Sequence, residues 1–304
     1  MLASRLSGGT TACRGEAFGE DGCRPANGGR GGPPYVENWI LKKDLRKMIP
    51  PEIIEEVITQ IDPDELITLT ADLVRINSVW DPAAGTSEQV VAEKIAAWAK
   101  SQGFEVQIDQ VAPGRPNIIV SGPQGPQDRT LMFEGHTDVV TPGDVSVWQY
   151  DPFGAKIVGR RMYGRGTNDT KGNLAAMLIA MKALKNAAIK VSGSVIGGVL
   201  CDEDDQMLGV RDFIKKGHAD KVTAAVICEP QDGMICTSQK GAIRAGYLIT
   251  GRMSHGAMPL SGLNCAPAIA RLVDGLHRLE QEAAATAGSD PHLGWPSFTP
   301  TVIQ

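Results

Sequence analysis

The chain has 304 residues, which is enough for one large domain or two smaller ones. A hydrophobic content of 42% is ordinary for a globular protein, and the formal net charge of -5, with no basic stripe, argues against a nucleic-acid binder. No apolar stretch reaches membrane-spanning length, so we expect no membrane partner. The six cysteines include no C-x-x-C pair, which predicts free thiols in a cytoplasmic protein.

The N-terminal segment differs in composition from the rest of the chain. Residues 1–36 are rich in Gly, Arg and Ser and lack apolar periodicity, which predicts a disordered leader outside the fold. Structure is predicted to begin near Glu37, with a first helix over Trp39 to Met48.

Two later helices have clear start or stop signals. The segment 62–65 (DPDE) predicts a helix start with Asp62 as the N-cap and a proline at the first helical position. The next helix is predicted to end at Gly103, since glycine is common just after a helix. Its predicted apolar stripe consists of Val90, Val91, Ile95 and Trp98.

Strand-like and helix-like segments then alternate. Short apolar runs predict strands over residues 104–108, 118–121, 130–133, 194–200 and 224–228. Helical patterns over residues 173–186 and 210–216 separate the later strands, and the strand over 224–228 is predicted to be buried. This order predicts an α/β fold with a mostly parallel sheet flanked by helices.

Acidic residues and one histidine cluster at the ends of these predicted elements. His136 and Asp138 follow the strand over 130–133; being two residues apart, they point to the same side, and Asp138 can orient a metal-binding His136. The other acidic residues lie at corresponding places: Asp169 before a helix, and Glu203, Asp204 and Glu229 after strands. Because ligands bind beyond the carboxyl ends of strands in open α/β sheets, we expect one or two divalent ions of the zinc type here.

The sequence pattern changes after Cys236. Residues 241–250 predict a strand, and Asn264 predicts the cap of a helix that continues to about Glu282. We expect a second, smaller domain to begin at this point.

The motifs resemble the di-zinc aminoacylase and carboxypeptidase family of metallopeptidases, which includes acetylornithine deacetylase, succinyl-diaminopimelate desuccinylase and several dipeptidases. The resemblance covers roughly residues 60 to 304. Five motifs in family order carry it: Gly135 to Val140, Gly164 to Gly172, Asp202 to Gly209, Cys228 to Pro230, and Ser254 to Pro259 with Gly262 and Asn264. It implies a metal-binding catalytic domain over residues 37–235 and an inserted, here incomplete, α+β lid and dimerisation domain over residues 236–304.

The resemblance also implies which residues bind metal. His136 and Glu229 would bind one zinc ion, Asp169 would bridge two, and Asp204 would bind the second. Co²⁺ and Mn²⁺ are possible substitutes for Zn²⁺.

Three further roles follow from the same resemblance. Glu203 would be the general base, Asp138 would orient His136, and His255 would reach the substrate from the lid. The implied reaction is hydrolysis of the amide bond of a small N-acyl amino acid, of the deacetylase or desuccinylase type, by a homodimer. A dipeptidase or carboxypeptidase and a non-catalytic remnant are the alternatives.

Two positions depart from the family pattern. The family usually has two glutamates where this chain has Glu203 and Asp204. Its last zinc-binding histidine lies near the C-terminus, after the lid, so we expect this sequence, which ends at Gln304, to be a fragment.

Several other polar residues are predicted to have no role in metal binding or catalysis. His218 and His292 are predicted on loops and His277 on a helix surface, all without a ligand role. Asp202 and Asp205 are predicted to be solvated or capping.

Overall fold

A computed structural model of the protein describes residues 49–187, 189–231 and 235–301. Its α-helices are α1 (Pro51–Ile58), α2 (Pro63–Val74), α3 (Gln89–Ser101), α4 (Lys171–Asn186), α5 (Leu208–Lys215) and α6 (Ala266–Ala287). Its strands are β1 (Glu105–Ala112), β2 (Arg115–Ser121), β3 (Thr130–His136), β4 (Lys156–Val158), β5 (Arg161–Tyr163), β6 (Ser194–Leu200) and β7 (Val222–Ile227). The predicted leader and the predicted helix over Trp39 to Met48 lie outside the described residues.

The chain divides after Cys236 into two compact units. The first is Val36–Cys236, and the second takes Thr237–Gln304. Among the described residues, no helix is both long enough and apolar enough to cross a membrane.

The first unit is built on a five-stranded sheet with the order β1-β2-β6-β3-β7. Strand β2 is antiparallel to both of its neighbours, whereas β6, β3 and β7 are parallel to one another. Four of the five strands therefore run in the same direction, and the predicted α/β class is confirmed. The carboxyl ends of β6, β3 and β7 all lie at the same end of the sheet, where His136 pairs with Leu200.

Helices cover both faces of this sheet. Alternate residues of β2 point to opposite faces: Ile118 packs with the apolar sides of α2, α3 and α4, and Ile119 packs with Phe213 of α5. Because both faces are covered, the first six residues of β2 are all buried.

The predicted helix signals are borne out at two positions. The Asp62 carboxylate accepts a hydrogen bond of 2.9 Å from the backbone N–H of Asp64, as an N-cap does. Gly103 follows α3 with φ = 73°, a left-handed conformation that costs glycine little.

The prediction of a buried last strand is wrong. Strand β7 lies at the edge of the sheet and, among the described residues, pairs with β3 alone. All of its residues except the first are exposed. A continuous apolar run predicts a strand but does not distinguish a central strand from an edge strand. The hairpin β4–β5 was not predicted, because each strand has only three residues.

The second unit agrees with its prediction only in part. Helix α6 begins one residue later than the predicted cap implies: its N-cap is Cys265, and the Oδ1 of Asn264 accepts a hydrogen bond of 3.0 Å from the N–H of Ala266. The predicted strand over residues 241–250 is wrong, since no strand is present there. A strand needs a hydrogen-bonded partner, and the described residues of this unit provide no ladder for it.

Two adjacent valines of α3 test the observed packing. Val91 is fully buried, whereas Val90, which the sequence placed in the apolar stripe, is 57% exposed. We expect Val91→Ala to lower the free energy of unfolding by about 2 kcal/mol. Val90→Ala should change it by less than about 0.5 kcal/mol, since alanine is also the better helix former. Urea unfolding of both variants measures the difference; equal losses would contradict the orientation of α3.

Candidate metal centre

His136 is the last residue of the central strand β3 and is 1% exposed. Its Nδ1 lies 3.0 Å from the backbone carbonyl oxygen of Asp138, which can only accept, so Nδ1 carries a proton. Its Nε2 lies 2.9 Å from Asp169 Oδ1 and 3.5 Å from Glu229 Oε1. The ring therefore presents Nε2 to two carboxylates that come from two other segments of the chain.

Asp138 connects His136 to the acidic segment after β6. Its Oδ1 lies 3.3 Å from His136 Nδ1 and accepts a hydrogen bond of 3.0 Å from the N–H of Glu203. Its Oδ2 accepts another of 3.0 Å from the N–H of Asp204. The Asp138 carboxylate was predicted only to orient the imidazole. It also holds the backbone of Glu203 and Asp204.

The segments that carry Asp169 and Glu229 are tied to each other at the start of α4. Thr170 Oγ1 and Asn173 Nδ2 both donate hydrogen bonds, of 2.6 and 2.7 Å, to the carbonyl oxygen of Cys228. Asp169 precedes Thr170, and Glu229 follows Cys228, so these two bonds hold the two segments that carry the carboxylates next to each other.

Two donor groups result, and they share His136. The first consists of His136, Asp169 and Glu229, and the second of His136, Glu203 and Asp204; within each group the ligand atoms lie within 4.8 Å of one another. An imidazole nitrogen with several carboxylate oxygens is a donor set that fits a divalent ion such as zinc. The donor chemistry of the described residues therefore suits the predicted metal.

The acidic surroundings control the protonation of His136. Burial alone lowers the pKa of His136, but the hydrogen bonds with Asp138 and Asp169 and the charge of Glu229 outweigh burial and raise it to about 11. A metal must therefore displace a proton from this ring at neutral pH.

Two of the carboxylates, Asp204 and Glu229, have pKa values above those of isolated acids. Burial, followed by the charge of Asp138, raises the pKa of Asp204 to about 6. Burial likewise raises the pKa of Glu229. Each of these groups is easier to ionise when a further positive charge is nearby.

Sequence reasoning missed an additional acidic residue, Glu134. It lies two residues before His136 on β3 and so points to the same side of the sheet. Burial raises its pKa to about 7, the charges of Glu229 and Glu203 add to the rise, and His136 opposes it. The strand alternation alone could have found it.

Two more buried charges were missed or misread. Lys171, inside the Gly164 to Gly172 motif, is fully buried and donates a hydrogen bond of 2.6 Å to the carbonyl oxygen of Ile76; burial lowers its pKa to about 7. Asp202 is fully buried, so the solvated interpretation is wrong and the capping one is correct. Its Oδ2 accepts hydrogen bonds from the N–H groups of Gln206 and Leu208 at the start of α5.

Two of the remaining histidines, His255 and His218, have hydrogen-bond or ion-pair partners. His255 belongs to the second unit, is exposed, and accepts a hydrogen bond of 3.2 Å at Nδ1 from the N–H of Ala257; its predicted substrate role stays a prediction. His218 is not on a solvated loop: its side chain is 17% exposed, and its Nε2 lies 2.7 Å from Asp109 Oδ2.

Both donor groups lie within a part of the chain that matches a known protein family. Residues 132–285 match the model of peptidase family M20/M25/M40. An acetylornithine deacetylase of Vibrio cholerae is 32% identical over 233 residues, which are 77% of this chain and 58% of that protein. The chain belongs to peptidase family M20/M25/M40.

Other M20 relatives agree with this assignment. A succinyl-diaminopimelate desuccinylase of Ruegeria is 32% identical over 74% of this chain, and a probable one of Staphylococcus epidermidis is 29% identical over 74%. The chain spans 59% and 53% of their lengths, respectively.

Solved structures support the fold. The dipeptidase Dug1p of Saccharomyces cerevisiae and human carnosine dipeptidase 1 each superpose with a TM-score of 0.50 at 19% identity. Each match covers 58% of this chain and 40% of the other chain. At this identity the likeness extends to the M20 fold and not to substrate.

The pKa of His136 leads to a prediction for metal binding. Zinc binding near pH 7.5 should release at least about one proton per ion, because the ring must lose its proton to become a ligand. Calorimetric titration in buffers of different ionisation enthalpy measures the proton count. His136→Asn should lose most of the binding, since both donor groups share this ring. Binding heats that do not depend on the buffer would show that His136 is already neutral.

Glu134 yields a separate prediction about pH and stability. Because its pKa rises from 4.5 to about 7 on folding, its stabilising contribution is fully present below about pH 4.5 and is lost as the pH rises to about 7. Glu134→Gln should therefore raise the free energy of unfolding at about pH 8 by up to about 3 kcal/mol, with little change near pH 4.5. Urea unfolding at both pH values measures this. Glu105→Gln, at an exposed position, serves as the control and should change the free energy of unfolding by less than about 0.5 kcal/mol.

Proposed function

We propose that this chain carries the metal centre of a zinc-dependent hydrolase that cleaves the amide bond of N-acyl amino acids, of the deacetylase or desuccinylase type. The observation that carries the proposal is the pair of donor groups that share His136 at the carboxyl end of β3. The names of the curated relatives, which are deacetylases and desuccinylases at about 30% identity, support the choice of substrate class.

Four residues of these two groups are the proposed metal ligands, and the fifth, Glu203, is the proposed base. His136, Asp169 and Glu229 would hold one zinc ion, and Asp204 a second one that Asp169 also contacts; Co²⁺ or Mn²⁺ could substitute. When bound, the zinc supplies positive charge that polarises the amide carbonyl and acidifies a water molecule.

The residues of the chain itself perform the proton transfers in this proposal. The Glu203 carboxylate accepts the proton of the attacking water and delivers it to the leaving nitrogen. Because the N–H of Glu203 donates to Asp138, which also contacts His136, the base keeps its place relative to the imidazole. Asp138 holds the Nδ1 proton of His136 and so keeps Nε2 facing the ligand side.

The unit after Cys236 has its own proposed roles. We propose that it is the lid and dimerisation domain and that His255 contacts the substrate. Light scattering of the purified chain measures whether it forms a dimer.

We also propose that the protein is cytoplasmic and has no nucleic-acid or membrane partner.

Turnover by the zinc-loaded chain tests the proposed function. The substrate panel consists of N-acetylornithine, N-succinyl-diaminopimelate, other N-acetyl amino acids and unblocked dipeptides. Preferred release of acetate or succinate supports a deacylase. Preferred cleavage of dipeptides would instead assign a dipeptidase or carboxypeptidase, and zinc binding without any turnover would show that these 304 residues bind the metal without catalysis.

The base assignment gives a mutational prediction. Glu203→Gln should retain zinc but lower the hydrolysis rate by about 100- to 10,000-fold, because an amide cannot accept the proton. Asp205→Asn removes an exposed carboxylate two positions away and should leave the rate within about threefold of wild type. Steady-state rates with matched zinc content measure both. A Glu203→Gln enzyme with near-normal turnover would assign the base to another residue.

A further inference from the structure

We propose that Arg115 is a positioning residue for the loop that carries Glu203 and Asp204. The proposal rests on the function assigned to that loop above. Arg115 is the first residue of β2, is 3% exposed, and has no role in metal or substrate binding in the reaction proposed here.

The Arg115 guanidinium is held between two buried carboxylates. Its Nε donates a hydrogen bond of 2.8 Å to Glu88 Oε1, to which Nη2 also donates, and its Nη1 lies 2.7 Å from Asp202 Oδ1. The Glu88 and Asp202 side chains have no exposed surface. The guanidinium carbon lies 4.5 Å from the centre of the Trp80 ring, which fixes the plane of the group.

Asp202 connects Arg115 to the loop, because Asp202 contacts the guanidinium and directly precedes Glu203. While Oδ1 faces Arg115, Oδ2 accepts hydrogen bonds of 3.2 and 3.1 Å from the N–H groups of Gln206 and Leu208. The single carboxylate thus closes the loop on itself and joins it to β2. Its backbone has φ = 60°, a conformation that non-glycine residues seldom adopt, so the side-chain contacts must hold it there.

The loop is consequently held from two sides. Asp138, which follows β3, accepts hydrogen bonds from the N–H groups of Glu203 and Asp204. From the direction of β2, Arg115 holds Asp202, and the Asn117 side chain donates to the carbonyl oxygen of Gly209. Glu203 and Asp204 lie between these anchors.

The charge pattern argues for a positioning role over a purely stabilising one. Buried ion pairs can often be replaced by apolar residues without loss of stability, because desolvation offsets the attraction. Here one guanidinium faces two buried carboxylates. Among the described residues neither Glu88 Oε2 nor Asp202 Oδ1 has a hydrogen-bond partner, so Arg115 and Asp202 are joined by an ion pair without a hydrogen bond. Such an arrangement gives little net stabilisation, but the 2.7 Å contact keeps Oδ1 of Asp202 facing β2 while Oδ2 accepts the N–H groups of the loop.

The test compares Arg115→Met with Lys182→Met in the whole 304-residue chain. Lys182 forms a part-buried ion pair with Glu65 between α4 and α2, so its replacement removes a cation of the same kind away from the loop. The first readout is amide hydrogen exchange of the metal-free protein. The second is zinc affinity, measured by competition with a chromophoric chelator. Neither readout uses turnover, so a chain that binds zinc without hydrolysing any substrate still tests this proposal.

We expect Arg115→Met to speed amide exchange in residues 203–208 at least about tenfold more than in α4, since loss of one partner of a buried ion pair also lowers the overall stability. Zinc affinity should fall by about 10- to 100-fold, as is typical for loss of an outer partner of a metal ligand. Lys182→Met should change neither readout by more than about twofold. Exchange that speeds equally in the loop and in α4 would reduce Arg115 to a general stabilising residue and overturn the proposal.

A second variant covers the case in which Arg115→Met does not fold. Asp202→Asn keeps the size of the side chain and one acceptor for α5 but removes the charge that Arg115 holds. The same loop-specific exchange and a fall in zinc affinity are expected. Wild-type exchange and wild-type affinity in Asp202→Asn would overturn the proposal.

Discussion

A single buried imidazole is surrounded by more carboxylates than its charge can balance. His136 contacts Asp138 and Asp169 and lies 3.5 Å from Glu229. Burial, together with the charges of neighbouring carboxylates, raises the pKa values of Asp204 and Glu134. Like charges at these separations repel strongly in a partly dry environment. The proton on His136 relieves part of this repulsion, and a divalent ion would relieve much more. The folded first unit therefore favours the binding of a cation at this position.

The sheet brings these groups together because of its strand order. Strand β3 lies between β6 and β7, both parallel to it, so three chain segments leave the sheet at the same edge. Parallel strands require long crossover connections, which explains why ligands from residues 136 to 229 are distant in sequence yet adjacent in space. The side chains that meet there are held by hydrogen bonds to backbone groups, such as those from Thr170 and Asn173 to Cys228.

Sequence patterns predicted the parts of this arrangement that local chemistry determines. The cap at Asp62, the glycine at Gly103 and the strand leading to His136 follow from residue types and short-range spacing. The edge position of β7 and the absence of a strand over residues 241–250 depend on which partners are present, which a local pattern does not contain. For the same reason Asp202 could not be distinguished from a solvated acid, since its partner Arg115 is 87 positions earlier.

The contacts that hold the loop carrying Glu203 and Asp204 also affect how an aspartate at position 204 can replace the glutamate of the family pattern. Aspartate is one methylene shorter than the glutamate that the family resemblance implies at this position, so its carboxylate reaches less far from the backbone. The backbone cannot drift to compensate, because Asp138 holds the N–H of Asp204 and Arg115 holds Asp202 two residues earlier. Nevertheless, the Asp204 carboxylate still groups with His136 and Glu203. The shorter side chain therefore still reaches the ring of His136, because the two anchors hold its backbone near the carboxyl end of β3.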